Sequence, residues 1–291
     1  MATTMLKDII NPQVMGDMIE AKIPHLLKFT PFAKVDTSLV GVPGDTKTVP
    51  SWNFVGAAED LAEGGEITTK KLTSSSTTFT IKCVAQSVGV TQKSINSGLG
   101  DPIGQAETQL AKSIAVKVDG DVLEAALGAA ELENALVYDG SAAKIGYSAI
   151  VDAVDAFDEE EITDKVLFVN PKQITALRKD SEFTDKNKYG NDVMVTGEIG
   201  MIGGVRIVPS KQIVKNDSGN YVCPMIKLEP ASTETEYAES ELPAITIFLK
   251  EDTTVDHEWF PKKQNHDITA SKYYGVALTN ASKVVVATFK A

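Results

Sequence analysis

The sequence predicts an α+β protein, and three observations carry that reading. One long amphipathic helix occupies residues 101 to about 130. A Ser/Thr-rich stretch at 44–92 has the period-two pattern of two long strands. Further β-type segments surround short helices in the remaining half, which places helices and strands in blocks rather than in strict alternation.

Residues 1 to about 35 read as an extended arm with one amphipathic helix. Asn11 can cap it, Pro12 occupies the first helical position, and Val14, Met18, Ile19 and Ile23 share a face. Pro24 stops it, and Phe29, Pro31 and Phe32 follow in an extended stretch. Two readings stay open: the apolar arm packs on its own core, or it lies across a neighbouring subunit.

Residues 44–92 read as a two-stranded excursion. Thr46 to Val55 leads out, and Lys70 to Thr91 returns with Phe79 and Ile81 alternating against Thr78, Thr80 and Lys82. The tip, Gly56 to Ile67, is small and acidic, with Glu59, Asp60, Glu63, Gly64, Gly65 and Glu66. Such a tip builds no core and should project. An isolated hairpin is only marginally stable in water, so a long one wants a partner surface.

The helix after Asp101 and Pro102 is the clearest element. Ala106, Leu110, Ile114, Val118, Val122 and Ala126 recur every four residues, and the span of about 40 Å is long enough to serve as a spine. Residues 145 to about 250 then read as an α/β unit. It has helices at Tyr147–Phe157 and from Pro171 to Arg178, a buried strand at Val166–Val169, and strands at Val205–Val208 and Ile245–Leu249. His257–Phe260, Tyr273–Leu278 and Lys283–Phe289 read as strands of an antiparallel sheet.

The 291 residues suggest one large domain or two modest ones, able to bury roughly 75% of the unfolded surface without a metal or disulfide. With 40 acids against 28 bases the net charge is -12, which speaks against a protein that grips nucleic acid. Cys83 and Cys223 lie far apart with no zinc spacing, and read as half-buried free thiols in a reducing compartment. No apolar leader or span of about 20 residues is present, so a cytoplasmic site of synthesis is expected.

The motifs favour structure over chemistry. The glycines of Gly197 to Gly204 precede a strand instead of following one, which is the wrong order for a dinucleotide site, and they read as a turn. His25, His257 and His266 have no nucleophile elbow beside them. The acidic runs Glu59/Asp60, Asp158 to Glu161 and Glu251/Asp252 read as solvated faces, with a weak cation site between subunits as the lesser reading.

Five segments, in order, resemble the major capsid proteins of tailed phages with the HK97 fold, and within them the branch named after the N4 phage capsid protein. They are INPQVMGDMIEAKIPHLLKFTPFAKVD (Ile10 to Asp36), LVGVPGDTKTVPSWNFVGAAEDLAEG (Leu39 to Gly64), GLGDPIGQAETQLAKSIAVKVDGDVLEAAL (Gly98 to Leu127), TGEIGMIGGVRIVPSKQI (Thr196 to Ile213) and YYGVALTNASKVVVATFK (Tyr273 to Lys290). The resemblance implies an N-terminal arm at 1–38 and an E-loop with flanking strands at 39–95. It implies a peripheral domain with the spine helix at 96–139, an α/β axial domain at 140–250, and peripheral return strands at 251–291.

The resemblance also implies function. The chain is expected to form hexamers and pentamers of an icosahedral virion shell around double-stranded DNA, without sequence-specific binding, after assembly in the bacterial host cytoplasm. Implied assembly residues are Glu59, Asp60, Glu63, Gly64, Gly65 and Glu66 at the E-loop tip and Met18, Ile23, Phe29 and Phe32 in the arm. Leu110, Ile114, Val118 and Val122 form the spine core. No catalytic, cofactor or metal residue is expected, and no membrane. A separate scaffolding protein is expected because the chain starts at the arm; a portal and a decoration protein complete the implied partners. Two alternatives stand beside this one: an encapsulin-like nanocompartment shell and a cytoplasmic α/β enzyme.

Overall fold

The structure is a computed structural model that describes residues 27–52, 69, 71, 74–97, 102–132, 134–159, 163–179, 201–228 and 242–291. The expected arm helix with Met18 and Ile23, and the expected hairpin tip, lie outside those residues.

The long helix α2, Pro102–Gly128, follows a one-and-a-half-turn helix α1, Gln92–Ser97. Its apolar period becomes a buried face of Leu110, Ile114, Val118 and Val122, all in the core. Ala106, Ala111, Ala115 and Ala126 are buried beside them, and their small side chains let the helix axis approach the strands closely. Helix α2 packs on β4 (Lys82–Thr91) and β11 (Asn265–Leu278), and also reaches β9 (Tyr221–Lys227) and β12 (Val284–Lys290). Because those strands belong to two different sheets, one helix face ties both into a single core.

The first sheet has four strands in the order β1-β10-β11-β4, with β1 at Lys34–Asp36 and β10 at Ile245–Phe260. Strands β10 and β11 form a long antiparallel hairpin whose register shifts between Leu249 and Glu251 and again before Thr254. The second sheet has six strands in the order β5-β12-β9-β6-β8-β7. These are β5 (Leu136–Lys144), β6 (Lys165–Val169), β7 (Met201–Ile202) and β8 (Val205–Pro209) with β9 and β12. Strand β6 is buried along its whole length, as its apolar run Val166–Val169 should be when both faces are covered. It pairs parallel with β8 and antiparallel with β9. The β6–β9 ladder stops at Met225, and the next residue, Pro224, has no N–H to extend it. Helices α3 (Tyr147–Asp155) and α4 (Pro171–Arg178) belong to this half, and α4 starts with a capping box from Asn170 and Gln173. Gly203 and Gly204, both at positive φ, make the two-residue turn between β7 and β8.

Among the described residues, strands β2 (Thr46–Trp52) and β3 (Ser74–Thr80) pair only with each other. The excursion is narrower than the sequence suggested: after Ile81 the chain enters the four-stranded sheet as β4, pairing with β11.

Two other expectations are corrected. The strand at Ile245–Leu249 is the first part of β10 and pairs with β1 and β11, so it does not join the α/β unit. The final strand β12 does not return to the sheet of β10 and β11; it lies between β5, to which it is parallel, and β9, to which it is antiparallel. Strands β5 and β9 and helix α1 were not anticipated, because β5 is rich in Gly and Ala, β9 contains Pro224, and α1 is too short to show a period.

Candidate assembly surfaces and the contacts that position them

The arm enters the body through one carboxylate. Asp119, on α2 and 1% exposed, accepts from the backbone N–H groups of Lys28 (2.6 Å), Phe29 (3.3 Å) and Thr30 (3.3 Å) and from the Thr30 hydroxyl (2.9 Å). Lys28 and Phe29 precede the 3-10 turn Thr30–Phe32 and Thr30 opens it, where the leading N–H groups have no partner within the turn and need an acceptor. The side chain of Phe29 then fills a hole in the core, its ring 4.4 Å from that of Phe168, with Phe32 edge-on to the same ring at 5.5 Å.

The hairpin of β2 and β3 is fixed at one end. Lys47 on β2 donates to Ser38 (2.8 Å), lies 3.8 Å from Asp36 and sits over the Phe248 ring. Phe79 on β3 stacks on that ring from the other strand, at 6.0 Å. Ile81 N–H donates to the Asp45 carbonyl (2.7 Å), and Lys250 reaches the Gly44 carbonyl. Where β3 passes into β4 the backbone crosses β11 closely: a Cβ on Gly275 would come within 2.9 Å of the Thr80 carbonyl oxygen.

A second carboxylate of α2 holds the other side of this crossing. Asp121 forms ion pairs with Lys82 on β4 (2.8 Å) and with Lys117 one turn back (2.9 Å), and accepts from the Tyr274 hydroxyl on β11 (2.5 Å). Burial pushes the Asp121 carboxyl up, but the hydrogen bonds from Lys82, Tyr274 and Lys117 outweigh it and hold it below the ordinary range. Burial and the Asp121 charge together push the Tyr274 hydroxyl far up, so it stays a donor.

The structure therefore places the predicted residues as follows. Leu110, Ile114, Val118 and Val122 lie together under the two sheets. Phe29 was expected to serve a neighbour, but it is fully buried in its own subunit and has no surface left to offer. Phe32 is half-buried on the same core. The acidic run at Asp158 to Glu161 was read as solvated, yet Glu159 bridges Lys165 (2.6 Å) and Lys227 (2.9 Å) and joins the ends of β6 and β9. Of the two thiols, Cys83 is exposed and Cys223 buried, not half-buried both. His257 and His266 are cross-strand neighbours with stacked rings and Nε2 2.8 Å from Nδ1.

Asp119 and Asp121 are anchors that the sequence reading did not single out. One signal was present: each adjoins a residue of the apolar stripe, Val118 or Val122, so each lies at its border. Among the described residues no group of three or more His, Cys, Asp or Glu side chains is arranged to hold a metal. No described helix is long and apolar enough to cross a membrane.

This architecture, two sheets bound to one long helix with a separate hairpin, is the HK97-like capsid fold. The capsid structure of cyanophage P-SCSP1u matches with a TM-score of 0.70 at 13% identity, over 89% of this chain and 86% of that one. A structure from Mycobacterium phage Che8 matches with a TM-score of 0.68 at 15% identity, over 99% and 95%. In sequence, the phage capsid protein family model matches residues 74–287. The major capsid protein of Staphylococcus phage phiMR11 is 35% identical over 212 residues, 72% of this chain and 75% of that protein. The chain belongs to the phage capsid protein family, a family of structural proteins and not of enzymes.

Proposed function

We infer that this chain is the major capsid protein of a tailed phage and acts by assembly. Copies meet around five- and six-fold axes as pentamers and hexamers through the half of the molecule built on the six-stranded sheet. The hairpin of β2 and β3 and the arm before residue 27 reach over neighbouring subunits. Many contacts, each worth only about a few kcal/mol, sum to a stable shell while single misplaced subunits still leave. The interior holds double-stranded DNA without reading its sequence, and the net charge of -12 suits a wall that does not grip its contents. A separate scaffolding protein, a portal and a decoration protein are the partners this reading brings with it. Glu59, Asp60, Glu63, Gly64, Gly65 and Glu66 are the proposed lashing residues of the hairpin, and Met18 and Ile23 those of the arm.

The observation that supports this reading beyond family membership is the hairpin. It is braced at its base by Lys47, Phe79 and Phe248, yet pairs with no other described strand. A braced strand pair with free edges is stable when a second copy covers it. The test is deletion of residues 56–67, followed by light scattering and electron microscopy. A folded subunit that builds no normal shell is expected; normal particles would overturn the role given to the hairpin.

A further inference from the structure

Five lysines converge on one cavity of an otherwise acidic protein. Lys144 ends β5, Lys172 projects from α4 and Lys179 is its C-cap, Lys215 precedes β9, and Lys290 ends β12; all five line a cavity of about 700 Å³ at one end of the six-stranded sheet. No Asp or Glu side chain is among its described lining residues. None of the five is in an ion pair with another described residue. Surface lysines are ordinarily interspersed with acids. Five brought together by four separate elements repel one another until an anion lies between them.

Two further features of the wall favour an anion. Helix α3 begins there, with Gly146 and Ser148 lining the cavity, and its N-cap Gly146 has no side chain to occupy the first-turn N–H groups. Gln173 also lines it and is 3% exposed. Its Oε1 accepts from the Asn170 N–H (3.0 Å) and the Cys223 thiol (3.2 Å), while its buried Nε2 has no partner among the described residues. A buried amide donor without an acceptor is costly unless a ligand or water fills the position.

We propose that this cavity binds a compact polyphosphate anion. Its volume is that of a small-molecule site, and lysines serve as point-charge phosphate binders. Duplex DNA carries its charge along a rod, about one per 1.7 Å of axis, and offers a concave pocket only one edge. The ligand class is therefore a di- or triphosphate rather than the packaged genome.

The experiment titrates full-length protein with sodium tripolyphosphate at low salt, by calorimetry and by thermal melting. Saturable binding with a raised melting midpoint is expected. In the double variant Lys172→Gln/Lys179→Gln the unliganded midpoint should not fall, because both ammonium groups are exposed and their removal relieves repulsion among the five, and affinity should fall about tenfold or more. Gln173→Leu, which removes the buried donor, should weaken binding independently. No binding, or equal affinity in wild type and the double variant, would overturn the site. Displacement of tripolyphosphate by a short duplex at equal phosphate concentration would overturn the compact ligand.

Discussion

Asp119 offers the sharpest test of how the arm is held. Replacing it with Ala removes an ionised acceptor from four donors, two of them close at 2.6 and 2.9 Å and two at 3.3 Å. A hydrogen bond to a charged group contributes roughly 1.5–3 kcal/mol. Counting only the two close contacts gives a loss of about 3–6 kcal/mol, a large part of the roughly 5–15 kcal/mol that a domain has. Asp119→Asn separates charge from shape. The amide keeps one oxygen, and its NH2 group must face an N–H donor, either that of Lys28 or those of Phe29 and Thr30. The better orientation keeps the Thr30 hydroxyl contact, so about 2–3 kcal/mol is expected. Urea denaturation followed by fluorescence gives the midpoints, and hydrogen exchange at the amides of residues 28–30 localises the effect. Faster exchange should spread to Phe29, whose ring leaves Phe168 when its backbone is released. If both variants stay within about 0.5 kcal/mol of wild type, the carboxylate does not hold the arm and the argument is wrong.

The other outcomes are equally direct. Gly275→Ala places a methyl 2.9 Å from the Thr80 carbonyl oxygen, a backbone atom that has little room to move, so a destabilisation of about 1–3 kcal/mol is expected in thermal melts; no change would mean that the β3–β4 crossing is looser than it looks. The folded-state pKa of Asp121 is depressed, so its stabilisation is present above the unfolded carboxylate value near 3.9 and is lost as pH falls through the lower folded value. Acid titration of Asp121→Asn should lack that component below about pH 4, and identical acid midpoints would refute it. Burial pushes the Cys223 thiol up to about 12, against the hydrogen bond to Gln173, while Cys83 is exposed. A thiol reagent at pH 8 should therefore modify one cysteine in the native subunit and two in denaturant.

Helix α2 was legible because a four-residue recurrence sustained from Ala106 to Ala126 has no other regular solution, and β6 because Val166 to Val169 offers no polar face. Gly203 and Gly204 announced their turn, since two consecutive positive φ angles favour glycine. Sequence alone thus determined the type of the strongly patterned elements, the apolar stripe of the long helix, the existence of a hairpin before it and the resemblance to a capsid family. It did not determine partners. Val284 to Phe289 fits either sheet equally well, and only the packing of β5 and β9 puts β12 between them. Asp119 and Asp121 became anchors because α2 carries them under the arm and under β4 and β11, where their donors come from positions as distant as Lys28 and Tyr274. The five lysines of the cavity, scattered from Lys144 to Lys290, meet for the same reason. Periodicity is a local property of the chain, whereas a charge cluster or a strand partner is made by the crossing of segments that only the folded core brings together.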